Sequence, residues 1–313
     1  MKLSKVLITE SVHDIGPELL RQAGCRPVFA DRDMEVIRRE IVDADGVIVR
    51  ILPLPRTLLE TGKRLKIVSK HGVGVDNIDL DYCREAGVAV TVTPDANGQA
   101  VAEHASALMM ALAKHLIPVS RAYRETGFGA KNSPPCMELS GKTAGVVGLG
   151  RIGKRFADMC RLGFGMEVLA YDPYLREAPQ GVELVSGLEE LLKQCDVVSL
   201  HCALSENTRG MIGRDQLAAM RPGAILINCA RGPLVDGEAL IEALRSGRLG
   251  GAGLDVTDPE PLPPDSPLFQ MENVIVTPHF APSTRESAQR MSRIAAENVI
   301  ACLSGREPAG RLV

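Results

Sequence analysis

Three polar residues directly follow runs of β-forming residues in the second half of the chain. Arg231 comes after Ala224-Ile225-Leu226-Ile227-Asn228-Cys229-Ala230. Glu260 follows Gly253-Leu254-Asp255-Val256-Thr257-Asp258-Pro259, and His279 follows Val274-Ile275-Val276-Thr277-Pro278. In an open parallel sheet, ligands bind beyond the carboxyl ends of the strands, so all three are placed to face one crevice. Their chemistry is complementary. A guanidinium grips a carboxylate in a two-pronged fork and polarises an adjacent carbonyl. An imidazole gives and takes a proton near neutrality, and a carboxylate beside it fixes its tautomer and favours its charged form. With a hydride carrier, such a trio suits the interconversion of a 2-oxoacid and a 2-hydroxyacid.

A site for that carrier lies upstream. Gly148-Leu149-Gly150-Arg151-Ile152-Gly153 follows the strand-like Thr143-Ala144-Gly145-Val146-Val147 and leads into a helical pattern through Leu162. The first glycine permits a tight turn and the second lets the backbone approach a pyrophosphate. The third lets helix and strand pack closely, with the helix N-terminal N–H groups facing the phosphates. The next strand pattern, Glu167 to Asp172, ends in an acid about twenty residues on, as a dinucleotide fingerprint requires. A carboxylate there accepts from ribose hydroxyls and repels a 2′-phosphate, and Arg176 is the first cation after it. NAD is therefore expected over NADP.

The elements that must position these groups follow from periodicity. In the first hundred residues, short β-branched runs (6–9, 27–29, 46–50, 65–69, 88–92) alternate with helical stretches such as 34–42 and 55–61. A second such series runs from 143 to 278. The pattern predicts two doubly wound parallel sheets. One helix is expected over 99–124 and another over 284–303, with 126–140 as the least regular internal stretch. A chain of 313 residues exceeds the size of one usual core, in line with two domains.

Net charge −3, an aromatic content of 3% and no long basic run argue against a nucleic-acid surface. No apolar stretch reaches the roughly 18 residues of a membrane span, and the N-terminus lacks a secretory pattern. Eight scattered cysteines without zinc spacing suggest reduced thiols in a cytoplasmic protein with no metal site.

Beyond these signals, the chain resembles the D-isomer-specific 2-hydroxyacid dehydrogenase family over nearly its whole length. The matching segments are 70–79 (Lys70-His71-Gly72-Val73-Gly74-Val75-Asp76-Asn77-Ile78-Asp79), 101–105, 148–153, 228–232, 254–256 with 260–262, and 277–279. The resemblance implies a Rossmann-type cofactor domain (98–282) inserted into a flavodoxin-like substrate domain (1–97 with 283–313). It implies Arg231 on the substrate carboxylate and carbonyl, Glu260 paired with His279, and His279 as acid–base. The N–H groups of Val73 and Gly74 would also hold the carboxylate. Asp255, Cys229 and Ala230 would contact the nicotinamide, and Cys202 and Thr208 lie on a loop over the same side. Read from the residues alone, both cysteines default to packing. A homodimer through the helix after Gly98 is expected, with small 2-hydroxyacids or 2-oxoacids as the other partners.

The resemblance also bears on substrate. Arg50 matches the position where phosphoglycerate dehydrogenases carry an arginine for the substrate phosphate, and Lys70 stands at the start of the glycine loop. Two cations favour an acidic tail, with 3-phosphoglycerate or a similar acid first and hydroxypyruvate or glyoxylate second. Pairing of Arg50 with Asp45 or Asp76 is the plain alternative, and the apolar Ile51-Leu52-Pro53-Leu54-Pro55 argues the other way. No sensing domain is expected after Val313. Departures from the family are Phe280-Ala281-Pro282 after the histidine, Ala203 for a proline, and no tryptophan ahead of the fingerprint. Formate oxidation needs no proton transfer, so Glu260 argues against it. The rival of another class is an NADH-sensing interaction protein akin to the family's co-repressors.

Overall fold

The alternation in the first hundred residues becomes a parallel sheet. In the computed structural model, which describes residues 3–313, the chain runs β1 (Ser4–Ile8), α1 (Ile15–Gln22), β2 (Cys25–Phe29), α2 (Met34–Ile41), β3 (Gly46–Val49), α3 (Arg56–Leu59), β4 (Ile67–Lys70), α4 (Leu80–Ala86) and β5 (Ala89–Thr91). The strand order is β2-β1-β3-β4-β5 and every pairing is parallel. Strands β3 and β4 are buried throughout, as expected of strands covered on both faces. The order reverses between β1 and β3, whose next residues include Glu10 and Arg50.

The second sheet is preceded by two helices, α5 (Gly98–Ala113) and α6 (Leu116–Thr126). One helix was expected here. The chain breaks at His115, which takes a left-handed conformation (φ 48°). Pro118 is the reason. Inside a continuous helix it would deny the Lys114 carbonyl its N–H and press its ring on that carbonyl, whereas in the first turn of a new helix no donor is required. The chain continues through β6 (Thr143–Val147), α7 (Arg151–Asp158), β7 (Glu167–Tyr171), β8 (Glu183–Leu184), α8 (Leu188–Gln194), β9 (Val197–Leu200), α9 (Arg214–Ala219), β10 (Ala224–Asn228), α10 (Gly237–Arg245), β11 (Leu249–Leu254) and β12 (Val274–Val276). The expected helix through Leu162 ends in a π turn over Met159–Gly163 instead. The order β12-β11-β10-β9-β6-β7-β8 is parallel throughout and reverses between β6 and β9. This is the Rossmann arrangement with one strand added at the β12 edge.

The last helix, α11 (Arg285–Leu303), is capped by the Thr284 hydroxyl, which accepts from the Ser287 N–H at 3.1 Å. Its Ala295, Ala296 and Val299 are buried with Val6, Ile8, Ile48 and Ile67 of the first sheet. The backbone accordingly divides into two units, Met1–Asn97 with Ser283–Val313, and Gly98–Pro282. Among the described residues no helix is long and apolar enough to cross a membrane, and no His/Cys/Asp/Glu group could hold a metal ion. All eight cysteines are unpaired.

Candidate active site

At the reversal point of the seven-stranded sheet, each fingerprint glycine meets a different constraint. Gly148 has φ +89°, and a Cβ there would lie 2.7 Å from the backbone nitrogen of Cys202 on the loop after β9. At Gly153 a Cβ would lie 2.1 Å from the Gly148 carbonyl, so α7 packs on β6 as closely as backbone permits. Gly150 faces open space, leaving room for a ligand against the first turn of α7, with Arg151 and Ile152 next in line. Asp172 braces this turn: Oδ2 accepts from the Leu149 N–H at 2.9 Å and Oδ1 from the Tyr174 N–H at 3.0 Å. Each carboxylate oxygen has two lone pairs, so both retain capacity for ribose hydroxyls. An open glycine turn at a helix N-terminus, flanked by a carboxylate, fits an NAD-type dinucleotide.

The other expected cofactor contacts divide. Ala230 is partly exposed. The Cys202 thiol donates to the Met211 sulfur at 3.6 Å, and burial pushes it up to about 11. Cys229 is buried in the core around β6 and β10, and burial pushes its thiol up as well. The Thr208 hydroxyl closes its own loop, donating to the Ala203 carbonyl at 2.8 Å and accepting from the Ser205 N–H at 2.8 Å. Asp255 is 1% exposed, and its oxygens accept from the Thr277 hydroxyl (2.6 Å), the Phe280 N–H (2.7 Å) and the Ala281 N–H (2.9 Å). Its visible work is to hold the turn that carries His279.

That turn needs holding. His279 sits at φ 54°, a left-handed conformation that costs a non-glycine residue roughly 1–2 kcal/mol. Its own N–H donates to the Asp255 carbonyl at 2.8 Å, so backbone and carboxylate of one buried residue fix the turn. The Thr277 hydroxyl directs its proton at Asp255, which makes His104 Nε2 the donor in their 3.0 Å contact. His279 Nδ1 then lies 2.8 Å from Glu260 Oε1. The hydrogen bond from His279 holds the Glu260 carboxyl below the usual range against its partial burial, and the nearby Arg231 guanidinium acts in the same direction. Arg231 is carried by a turn that Asn228, 1% exposed, clamps from within. The Asn228 amide accepts from the Ala230 N–H at 3.0 Å and donates to the Arg231 carbonyl at 2.9 Å. The structure thus brings all three groups of the trio to the β10–β12 end of the sheet.

In the five-stranded unit, Arg50 donates through Nη1 to the Ser11 carbonyl at 2.9 Å. Asp45 is engaged by Arg64 at 2.6 Å and by the Lys5 N–H at 2.8 Å, which removes that partner from the plain alternative. Val73 and Gly74 lie on a loop after β4 with their main chain outside any strand, Val73 being exposed. Lys70 departs from the expectation. It is 7% exposed, and its ammonium bonds the Arg50 carbonyl and the Asn77 side chain, so it is a strut between loops. His71 is buried, neither ring nitrogen has a hydrogen-bond partner among the described residues, and burial, aided by the Arg50 charge, pushes it down to about 4.

Residues 106–281 match the model of the D-isomer specific 2-hydroxyacid dehydrogenase NAD binding domain. The chain belongs to the D-isomer specific 2-hydroxyacid dehydrogenase family. It is 40% identical over 305 residues to the D-3-phosphoglycerate dehydrogenase of Methanocaldococcus jannaschii, which covers 96% of this chain and 58% of that protein. The chain therefore spans little more than half the length of that relative. It is 41% identical over 281 residues to the glyoxylate reductase of Korarchaeum cryptofilum, covering 88% of this chain and 84% of that one. The crystal structure of the TT0316 protein from Thermus thermophilus superposes with a TM-score of 0.93 at 39% identity, over 99% of this chain and 100% of that chain.

Within this dehydrogenase fold, the residues that sequence reasoning missed are Asn228, Glu10 and the positioning function of Asp255. Asn228 carried a weak signal as a polar residue closing an apolar strand. Glu10 carried none, because the backbone it serves is forty residues away.

Proposed function

We propose that this chain is an NAD-dependent D-2-hydroxyacid dehydrogenase in which Arg231 binds the substrate carboxylate and His279 is the acid–base. The observation that carries this reading is the 2.8 Å contact between His279 Nδ1 and Glu260. With Nδ1 committed to the carboxylate, Nε2 is the nitrogen that exchanges a proton with the substrate oxygen. Glu260 holds the neutral imidazole with its proton on Nδ1 for oxidation, and it stabilises the imidazolium that forms when His279 takes the proton of a hydroxyl and that returns that proton from Nε2 in reduction. The Arg231 fork fixes the carboxylate and polarises the neighbouring carbonyl. Gly148, Gly150 and Gly153 would hold the pyrophosphate of NAD and Asp172 a ribose, with the nicotinamide toward the Ala230 and Asp255 side of the sheet, and the bound dinucleotide would supply the hydride chemistry.

Replacement of His279 by Gln tests the assignment. Turnover should fall about 10²–10⁴-fold, the usual contribution of a positioned acid–base, while NADH affinity by fluorescence titration stays within a factor of about two. Equal loss of both would mean that His279 supports the fold and not the chemistry.

For substrate, the favoured reading is 3-phosphoglycerate or another 2-hydroxyacid with an anionic tail, on the strength of Arg50. A second reading, hydroxypyruvate or glyoxylate, gains from Lys70, whose ammonium is engaged by the protein, and from the exposed apolar Ile51 beside Arg50. A homodimer is supported by α6, which has no buried residue yet exposes Leu116, Ile117 and Tyr123. A cytoplasmic setting is supported by eight unpaired thiols.

A further inference from the structure

We propose that Glu10 and Lys70 are positioning residues that fix the loop after β3 as the reader of the substrate's tail, and that the tail they select is anionic. The inference rests on the reading of Arg50 as the residue that faces that tail. Glu10 stands at the carboxyl end of β1 and Arg50 at that of β3, the two strands between which the five-stranded order reverses. Such reversals open a crevice where ligands bind. Glu10 is 2% exposed, and its carboxylate accepts the N–H groups of three successive residues: Arg50 at 2.7 Å, Ile51 at 3.1 Å and Leu52 at 3.4 Å. From the other flank, Lys70 bonds the Arg50 carbonyl, and the Asn77 amide donates to the Leu52 carbonyl at 2.7 Å. Two buried charges from neighbouring strands thus hold the main chain of one short loop.

The contacts of Glu10 identify the tail. Its carboxylate takes the backbone N–H of Arg50, while the Arg50 guanidinium reaches the Ser11 carbonyl. The guanidinium charge is pre-aimed by a neutral acceptor and is not cancelled by the adjacent acid. A preorganised fork of that kind suits a phosphate or carboxylate on the substrate's third carbon. The backbone donors that would otherwise bind such an anion directly are filled, so selection falls on Arg50.

The test is NADH-dependent reduction of phosphohydroxypyruvate (anionic tail) and glyoxylate (no tail) by the wild type, E10Q, R50Q and the double variant. E10Q should raise KM for phosphohydroxypyruvate about tenfold, the effect of one charge-assisted hydrogen bond, with kcat little changed. Its KM for glyoxylate should move less than about twofold. Because Glu10 acts through Arg50, E10Q should add little in the R50Q background. Equal effects on both substrates, or full additivity with R50Q, would overturn the proposal. Should E10Q fail to fold, E10D and K70M give the same comparison. Failure of all three to fold would reduce these groups to structure alone and also overturn it. Should the wild type reduce neither substrate, the broader assignment fails instead.

Discussion

Both sheets reverse their strand order once, and the two reversal points are furnished in opposite ways. Between β6 and β9 the main chain turns on glycines, Gly150 opens on free space, and the nearest acid, Asp172, holds the turn from its edge. Between β1 and β3 the main-chain donors of residues 50–52 are filled by a buried carboxylate, and a side chain, Arg50, is what the protein presents. The same topology therefore offers backbone to a ligand in one unit and a guanidinium in the other. A large phosphate-bearing cofactor suits the first, where many N–H groups can share its charge. A small acid read by one fork suits the second.

Two substitutions outside the Arg50 loop test this contrast. The larger effect belongs to the glycine site. Asp172→Ala should lower the preference for NADH over NADPH in kcat/KM at least about tenfold, since it removes the charge that repels a 2′-phosphate. An unchanged ratio would mean that some other group reads the ribose.

The smaller effect is on stability, and each unit holds one source of it. Burial pushes His71 down to about 4 and His201 down to about 3. Between pH 6.5 and about 4 the unfolded chain takes up a proton at each imidazole that the folded chain refuses. Stability contributed this way is present above pH 6.5 and is lost as pH falls. At about pH 5 the loss is about 2 kcal/mol per histidine, at about 1.4 kcal/mol per pH unit. In H71Q the pH dependence of the urea midpoint over this range should become shallower by roughly half of what both histidines give together. An unchanged slope would show that His71 gains a charge partner in the folded state.

What could be read from residues alone was what is written locally. The fingerprint glycines sit within six positions, and the order of β-branched runs and helical patterns gave both sheets their strands. The α5–α6 break was also local, since Pro118 marks it, but the apolar periodicity on either side masked a single proline. The site was legible as residue types at strand ends, which is how Arg231, Glu260 and His279 stand out. Its supports were not. Asn228, Asp255 and Glu10 act through side-chain bonds to backbone, and for Asp255 and Glu10 the backbone groups they bind lie 25 to 42 positions away in the chain. Asp255 illustrates the difference: the resemblance offers it to the nicotinamide, while packing buries it beneath the histidine turn. Lys70 does so too, because a lysine beside a glycine loop reads as a ligand for anions until its ammonium is found on a carbonyl.

The proposed activity is transfer of a hydride and a proton between a nicotinamide and the second carbon of a small acid. The loss of NADH absorbance, followed with purified protein, NADH and a panel of glyoxylate, pyruvate, hydroxypyruvate and phosphohydroxypyruvate, tests it most directly. NADH consumption should be matched mole for mole by a hydroxyacid, of D configuration wherever the product is chiral, and should be fastest with the anionic tail at low substrate. Protein that binds NADH yet consumes none with any member of the panel would contradict it.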